Sequence, residues 1–511
     1  MPVNSCKVGA DLICPLCNFR PHSFFSHSPH FHSSLSAWRL ISILASLVCL
    51  LQGCGPTLKH YPQVEESLRQ GDPQRAVELV EKAEDSYDED SYLLYLMDLG
   101  MTLHLAGQYE ESNRYLEEAD ELVAEQYTKR LHDEAAAMLI NEGELPYRGD
   151  PYEQVMINVI KALNYALLQN LSEALVEARK IDHRLNVLND SVDQDEYRED
   201  PFARYLTGVL YEASGDLNNA FIAYRKAEKG YRLASSWSGV ALPDTLKQDL
   251  LRVTKALHFP EEHQHYRKIF PQTPDFEDTS SAIAQVFVVS YNGRGPIKED
   301  VFLDVPLSYD ALQLAAINKY GLGGGTRRTR GRDAILYGLQ GQIVRVALPQ
   351  LVSHQSQVSY STVRAEQPGS QYETMTERVY DVGATAKKNL DDQFPTLMVR
   401  AAARGALKYG VAQGIGQGVR ASINGNEAQL VGTLATAIAT MMVIASEEAD
   451  IRSWQTLPGE IQIGRLWLQP GEYTITVESF DQEGEPLATS SPYVLSLSTG
   501  ETHFLTQRIL D

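Results

Sequence analysis

The sequence predicts an α+β multidomain protein in which an all-α helical repeat is followed by a mixed α/β region and a C-terminal β-sandwich-like piece. Between Lys59 and Lys268, apolar residues recur at helical spacing in repeated blocks. After residue 280, short β-branched runs alternate with turn residues. The predicted segments are residues 1–53, 54–279, 280–456 and 457–511. No cysteine follows Cys54, so the body folds without disulfides.

The first segment has the form of a leader. An apolar run at residues 40–53, LISILASLVCLLQG, follows Arg39 and is too short to span a bilayer comfortably. Leu51-Gln52-Gly53-Cys54 resembles the lipobox of bacterial lipoproteins. The resemblance implies a signal peptide at residues 1–53 and lipidation of Cys54. Gly55, where an Asp would favour the inner membrane, then favours the periplasmic side of the outer membrane.

The leader begins unusually far upstream, because 38 residues precede Arg39. They include Cys14-Pro-Leu-Cys17 and several histidines, a composition that zinc sites also use. We favour an overlong N-terminus over a zinc site, because everything before the cleavage point is removed.

The helical segment carries a repeated frame of small, apolar and aromatic residues. Two copies share the same offsets and resemble the tetratricopeptide repeat, a 34-residue helix-turn-helix. The resemblance implies a groove that holds a protein or peptide partner. The frame residues are the candidates for this interaction: Leu96, Leu99, Gly100, Leu103 and Tyr109 in one copy, and Gly208, Tyr211, Ala220 and Tyr224 in the other.

Glycine has two roles in this frame. Gly100 and Gly208 are predicted to let the paired helix approach closely, whereas Gly107 and Gly215 end the first helix in a left-handed conformation. Further turns are predicted at positions 71 and 169, with an inserted loop at 189–201. An unrelated bundle of α-hairpins has the same periodicity and stays open as the alternative.

Negative charge is concentrated in the helical segment. The chain has 45 basic and 67 acidic residues, which argues against nucleic-acid binding. Between Gly55 and Thr279, 43 residues are acidic and 23 are basic. This bias is either the solvated face of the repeat or a groove that favours a basic partner. An exposed linker helix is favoured over a metal site for His258, His263 and His265, so no metal or cofactor is predicted.

A helical hairpin is predicted at residues 394–446, inside a region of strands at 282–290, 343–348 and 356–363 and of short helices at 310–319 and 381–392. Pro395 suits the first turn of the hairpin. A stripe at Gly410, Gly414 and Gly418 implies close helix contact, since glycine otherwise weakens a helix. The hairpin is either buried against the sheet, which we favour, or inserted into a membrane.

An arginine-rich segment follows the glycines at 321–325. It lacks the GK[ST] motif of a P-loop. Its side chains are candidates for contacts with anions such as lipid phosphates, and a flexible solvated loop is the alternative. The candidate residues are Arg327, Arg328, Arg330 and Arg332.

The C-terminal piece alternates strands with turns. Four strands are predicted at 461–468, 472–479, 491–497 and 502–509. The run Leu-x-Pro-Gly-Glu-Tyr at 468–473 resembles transthyretin-like and carboxypeptidase-regulatory β-sandwiches, which are common in binding modules.

One further run carries the most specific resemblance. Asp450-x-Arg452-Ser453-Trp454-x-x-Leu457-Pro458, together with the arginine-rich segment and Asn292-Gly293, resembles a family of tetratricopeptide-repeat lipoproteins of Gram-negative bacteria. The resemblance covers nearly the whole mature chain, and the family brings no known activity.

The motifs of common enzymes are missing from the sequence. There is no HExxH, GxSxG or Ser-x-x-Lys motif and no cysteine suited to catalysis. We therefore expect a non-enzymatic scaffold or adaptor of cell-envelope assembly, anchored at Cys54. The alternative is a membrane-active or pore-associated component that uses the hairpin at 394–446.

Overall fold

The computed structural model describes residues 59–133, 141–191, 200–274, 283–306, 343–422, 428–445 and 447–510. All of them lie in one compact unit, Cys54–Asp511. The predicted leader, the lipidation site Cys54, the short helix at 310–319 and the four arginines between 327 and 332 lie outside the described residues.

The helical segment forms consecutive antiparallel helix pairs. Each pair joins a first helix, which faces the rest of the body, to a second helix on the outside. The pairs are α1 (Tyr61–Arg69) with α2 (Pro73–Lys82), α3 (Tyr92–Leu105) with α4 (Tyr109–Asp133), α5 (Pro151–Leu167) with α6 (Leu171–Ser191), α7 (Pro201–Ala213) with α8 (Leu217–Ser238), and α9 (Asp244–Ala256) with α10 (Pro260–Ile269).

Every pair turns in the same way. A residue with positive φ ends the first helix, and the next amide donates to a carbonyl five residues back, as from Gln108 to Leu103 at 2.9 Å. The predicted turns at 71, 107, 169 and 215 are confirmed. A fifth turn at His258 was not predicted, so the expected linker helix is the second helix of a fifth pair.

The strands form two sheets and a separate ribbon. They are β1 (Ala284–Asn292), β2 (Ile297–Pro306), β3 (Ile343–Val352), β4 (Tyr360–Gln367), β5 (Ser370–Met375), β6 (Glu377–Asp381), β7 (Glu460–Leu468), β8 (Gly471–Phe480), β9 (Pro486–Thr489), β10 (Tyr493–Leu497) and β11 (Thr502–Ile509). The inner sheet has the order β11-β1-β7-β6, and the outer sheet has the order β10-β8-β4-β5 with β9 also on β8. β2 and β3 pair as the ribbon.

Alternation along β1 shows how the layers stack. Phe287, Val289 and Tyr291 join the hydrophobic core of the helices. Val286 and Val288 point the other way, into a core shared with the outer sheet. A strand buried on both faces reads as a continuous apolar run, as β1 does. The body is therefore a layer of helices, then the inner sheet, then the outer sheet.

The C-terminal strands share both sheets with earlier strands. β7 and β11 flank β1 in the inner sheet, while β8 pairs with β4 in the outer sheet. Residues 457–511 therefore complete sheets that residues 280–456 begin, and the sandwich is built from both segments.

The helical hairpin consists of α11 (Val382–Ser422) and α12 (Ala428–Ala445). The expectation that one helix starts near 381 and a second at Pro395 is wrong, because α11 runs through Pro395 without interruption. Pro395 is exposed, so the carbonyl that its ring deprives of a partner can bond water. Ala401 and Ala406 of α11 pack on Val346 and Leu348 of the ribbon. We call the ribbon, α11 and α12 together the arm.

Candidate functional site

The predicted interaction residues of the repeat frame lie mostly in the protein interior. Seven of the nine are buried: Leu96, Leu99, Gly100, Leu103, Gly208, Ala220 and Tyr224. Tyr109 and Tyr211 are half-buried. The assignment of these seven residues to a partner-binding surface is therefore wrong, because they pack one helix against the next.

Two glycines of the frame do what the sequence predicts. A methyl group at Gly100 would lie 2.5 Å from Leu116 Cδ2, and one at Gly208 would overlap the ring of Tyr224. Both contacts join the first helix of a pair to its second helix. The close approach inferred from the sequence is confirmed.

The inner face of the helical repeat is covered by the chain itself. α1, α3 and α5 contact β11, and α7 contacts β6. His104 of α3 lies 3.1 Å from the hydroxyl of Tyr291, and Tyr380 donates to Asp200 at 2.8 Å. Arg465 of β7 bonds Asp249 at 2.5 Å in the same interface. The face on which a groove was expected is thus occupied by the inner sheet.

A segment without regular structure, residues 447–459, crosses this interface, and we call it the strap. Its Arg452 donates to the carbonyl oxygens of Asp90, Glu142 and Leu145 at 2.8–3.2 Å. The same guanidinium binds Asp450 with two bonds of 2.8 Å. Charge-assisted, fork-like bonds fix orientation as well as position. The run that carried the most specific resemblance therefore joins the arm to the helices.

Two buried carboxyls receive donors from the strap. Thr456 donates to Asp98 at 2.9 Å, and the amide of Trp454 donates to Glu153 at 2.8 Å. Tyr61 and Tyr87 also donate to Asp98, at 2.6 and 2.9 Å. One sequence signal marked Asp98, since it is the sole acid in the otherwise apolar run of α3.

Burial changes the acidity of both groups. It raises the pKa of Asp98 to about 7, against hydrogen bonds from Tyr61, Tyr87 and Thr456 that lower it. Burial also raises the pKa of Glu153 to about 7, and the charge of Asp150 adds to the rise. Both carboxyls are surrounded by donors that hold them in place, so the arrangement serves attachment of the strap.

The cationic stripe of α11 docks the arm onto the body. Arg404 and Lys408 both pair with the buried carboxylate of Glu447, at 3.3 and 2.7 Å. Lys408 also donates to Asn141, and Arg400 faces Glu142 at 3.7 Å. The stripe noticed in the sequence thus has partners within the chain.

The glycine stripe of α11 does not pack against a helix. Gly414 and Gly418 are exposed, and a methyl group added to either would meet no atom within 4 Å. The surroundings of Gly410 lie outside the described part of the chain. The close approach occurs instead at Gly416, opposite Thr436, and at Gly432 of α12. The prediction for Gly414 and Gly418 is wrong because α12 crosses a different face of α11.

In the part of the chain that the structure describes, no helix is both long and apolar enough to cross a membrane. Within the same residues, no three His, Cys, Asp or Glu side chains gather where they could hold a metal ion.

No protein-family model matches the chain, and no curated protein matches it either. Solved structures with partial likeness include TPR-like repeats of a protein from Podosopora anserina described as a kinesin light chain, with 15% identity, a TM-score of 0.29, and coverage of 42% of this chain and 94% of that one. The MamA protein has 13% identity, a TM-score of 0.26 and coverage of 43% and 97%. BtubC from P. vanneervenii has 14% identity, a TM-score of 0.28 and coverage of 49% and 89%.

The architecture itself defines the class of protein. Repeated helix pairs with identical left-handed turns make the N-terminal part a TPR-like helical repeat, and this part is fused to a two-sheet body with an arm.

Proposed function

We propose that this protein is a non-enzymatic scaffold of the cell envelope, anchored through Cys54 to the periplasmic side of the outer membrane, and that it holds a partner protein on its arm. The observation that carries the proposal is the covered inner face of the helical repeat. Because the inner sheet and the strap occupy that face, a partner must bind elsewhere on the molecule.

The arm offers an apolar surface for such a partner. Phe302 of the ribbon, Ile415 of α11 and Leu434 of α12 are 51%, 44% and 55% exposed. The arm meets the body through the paired charges of α11 and through the strap. Apolar side chains left exposed on the arm are candidates for contact with a partner protein.

The proposed anchor would hold the start of the helical repeat close to the bilayer. Five residues, 54–58, separate the lipidated end from Lys59. An extended chain of that length spans about 17 Å, so Lys59 would lie within that distance of the lipid headgroups. Stable attachment needs more than one acyl chain, which the lipobox reaction supplies.

Site-specific photo-crosslinking in living cells tests the scaffold role. We expect a photo-reactive amino acid at Ile415 or Leu434 to give the same discrete crosslinked product, identifiable by mass spectrometry. The matched control is Val494 on β10, which is also apolar and exposed but lies outside the arm. Products at Val494 alone, or none at either arm position, would contradict a partner on the arm.

Metabolic labelling with palmitate tests the anchor separately. We expect label in the wild-type protein and none in Cys54→Ala, because alanine lacks the thiol to which the first lipid would be attached. Equal labelling of both would reject the proposed anchor and leave the crosslinking result unaffected.

A further inference from the structure

The outer face of α8 differs in charge from the acidic protein around it. Its outer row consists of Ile222, Lys226, Lys229 and Leu233, which are spaced three or four residues apart and share one side of the helix. Lys226 is half-buried, and the other three are exposed. Ile222 and Leu233 are 51% and 49% exposed. Arg225 flanks the row and is exposed too. A helix that keeps two aliphatic side chains in water beside several cations is a candidate docking face.

Some of these cations have partners within the chain. Lys226 pairs with Asp182 at 2.7 Å, and Arg232 pairs with Glu228 in the next turn. Arg225 lies over the ring of Phe221 at 5.5 Å, and its guanidinium carries no carboxylate partner in the described structure. Arg225 and Lys229 therefore give the face its net positive charge.

The outer face of α4 carries the opposite charge on the same side of the repeat. α4 is the second helix of the second pair, and α8 is the second helix of the fourth. Glu111, Glu118 and Glu125 are exposed and seven residues apart, with Glu121 beside them. At 1.5 Å per residue this acidic row is about 21 Å long, and the row from Ile222 to Leu233 is about 16 Å long.

We propose that the outer face of α8 docks against the outer face of α4 on a second copy of this chain. Charge complementarity selects this occupant, because the exposed row of α4 is net negative even with Arg114 in it, and it lies in the same helical layer as the cations of α8. Two different surfaces meet, so a pair of copies keeps one free α4 face on one copy and one free α8 face on the other. Such a contact extends into rows of molecules or closes into a ring. The contact does not depend on the lipid anchor.

Sedimentation velocity of the unlipidated body, residues 54–511, tests the proposal. We expect concentration-dependent association at 50 mM NaCl that weakens at least tenfold at 500 mM, because exposed charges are screened at high salt. Reversal of the basic face with Arg225→Glu and Lys229→Glu should abolish association. Reversal of the acidic face with Glu111→Lys and Glu121→Lys should abolish it as well.

A mixture of the two reversed proteins provides the decisive measurement. Neither should associate alone. In the mixture, the native α8 face of one protein meets the native α4 face of the other, and the two reversed faces are also complementary, so association should return. Glu81→Lys on α2 is the matched control for a change of surface charge and should leave association intact. Circular dichroism confirms that each variant is folded.

Three results would overturn the proposal. The first is a monomer at every concentration and salt. The second is a mixture that fails to associate although both reversed proteins are folded. The third is a body that binds phosphatidylglycerol vesicles without self-association, which would assign the face to a lipid surface.

Discussion

Replacement of Trp454 by alanine should detach the strap from the helices. The Trp454 side chain is fully buried, in the same core as the first helices and the inner sheet. Truncation of a buried tryptophan removes its apolar contacts and leaves a cavity, which costs about 3–5 kcal/mol. We expect that loss in the free energy of unfolding from urea titration followed by far-UV circular dichroism.

A conservative variant separates packing from hydrogen bonding at this position. The indole N–H of Trp454 has no acceptor among the described residues. Trp454→Phe removes this unpaired donor, which by itself costs about 1–3 kcal/mol when buried, and keeps most of the ring contacts. We therefore expect Trp454→Phe to lose no more than about 1.5 kcal/mol, since volume-conserving changes are tolerated best.

The control lies three residues away in the same strap. Ile451 is exposed, and Ile451→Ala should change stability by less than about 0.5 kcal/mol. The reasoning is refuted if Trp454→Ala lowers the free energy of unfolding by less than about 1 kcal/mol. It is refuted as well if Ile451→Ala lowers the free energy of unfolding as much as Trp454→Ala does.

Two further predictions concern α11 and the buried carboxyls. Gly414→Ala should stabilise the arm by about 0.5–1 kcal/mol, because alanine is the better helix former and no atom lies within 4 Å of the added methyl group. Gly416→Ala should destabilise the arm, because its methyl group would collide with Thr436. Hydrogen exchange of α11 measures both changes, and two changes of the same sign would contradict this packing. The pKa of Asp98 is raised from 3.8 to about 7, so the folded state holds its proton more tightly than the unfolded state. Stability should therefore fall as pH rises from about 4 to 7, by up to about 4 kcal/mol from this group. Asp98→Asn keeps an acceptor for the tyrosines and should show a shallower fall in urea titrations at pH 5 and 8; an unchanged slope would assign the effect to other groups.

Local patterns in the sequence predicted the elements whose geometry depends on near neighbours. The left-handed turns at Gly107 and Gly215 and the close approaches at Gly100 and Gly208 follow from spacing within one helix pair. The strand at 502–509 was predicted with the same bounds that β11 has. The glycine contacts join residues of one helix pair, Gly100 with Leu116 and Gly208 with Tyr224, and the bounds of β11 follow from residues within that strand.

Elements that depend on distant neighbours were missed or misplaced. β5 has six residues that are almost all exposed, and β6 has five, so neither shows an alternating apolar pattern. β6 pairs with the distant strand β7, whereas β5 pairs with β4 across the tight turn at residues 368–369. The sequence predicted helix packing at the wrong glycines of α11. Helical spacing shows which glycines share a face, but it does not show which face α12 crosses.

The sequence by itself determined the helical repeat, its turns and the concentration of acidic residues in it. The nearly continuous apolar sequence of α3 also agrees with its burial on almost every side. Only the tertiary structure decided what covers the first helices. Arg452 reaches the carbonyl of Asp90 across 362 residues, and Thr456 reaches Asp98 across 358. Contacts over such separations leave no periodic trace in a sequence, because each depends on the fold of everything between its two ends.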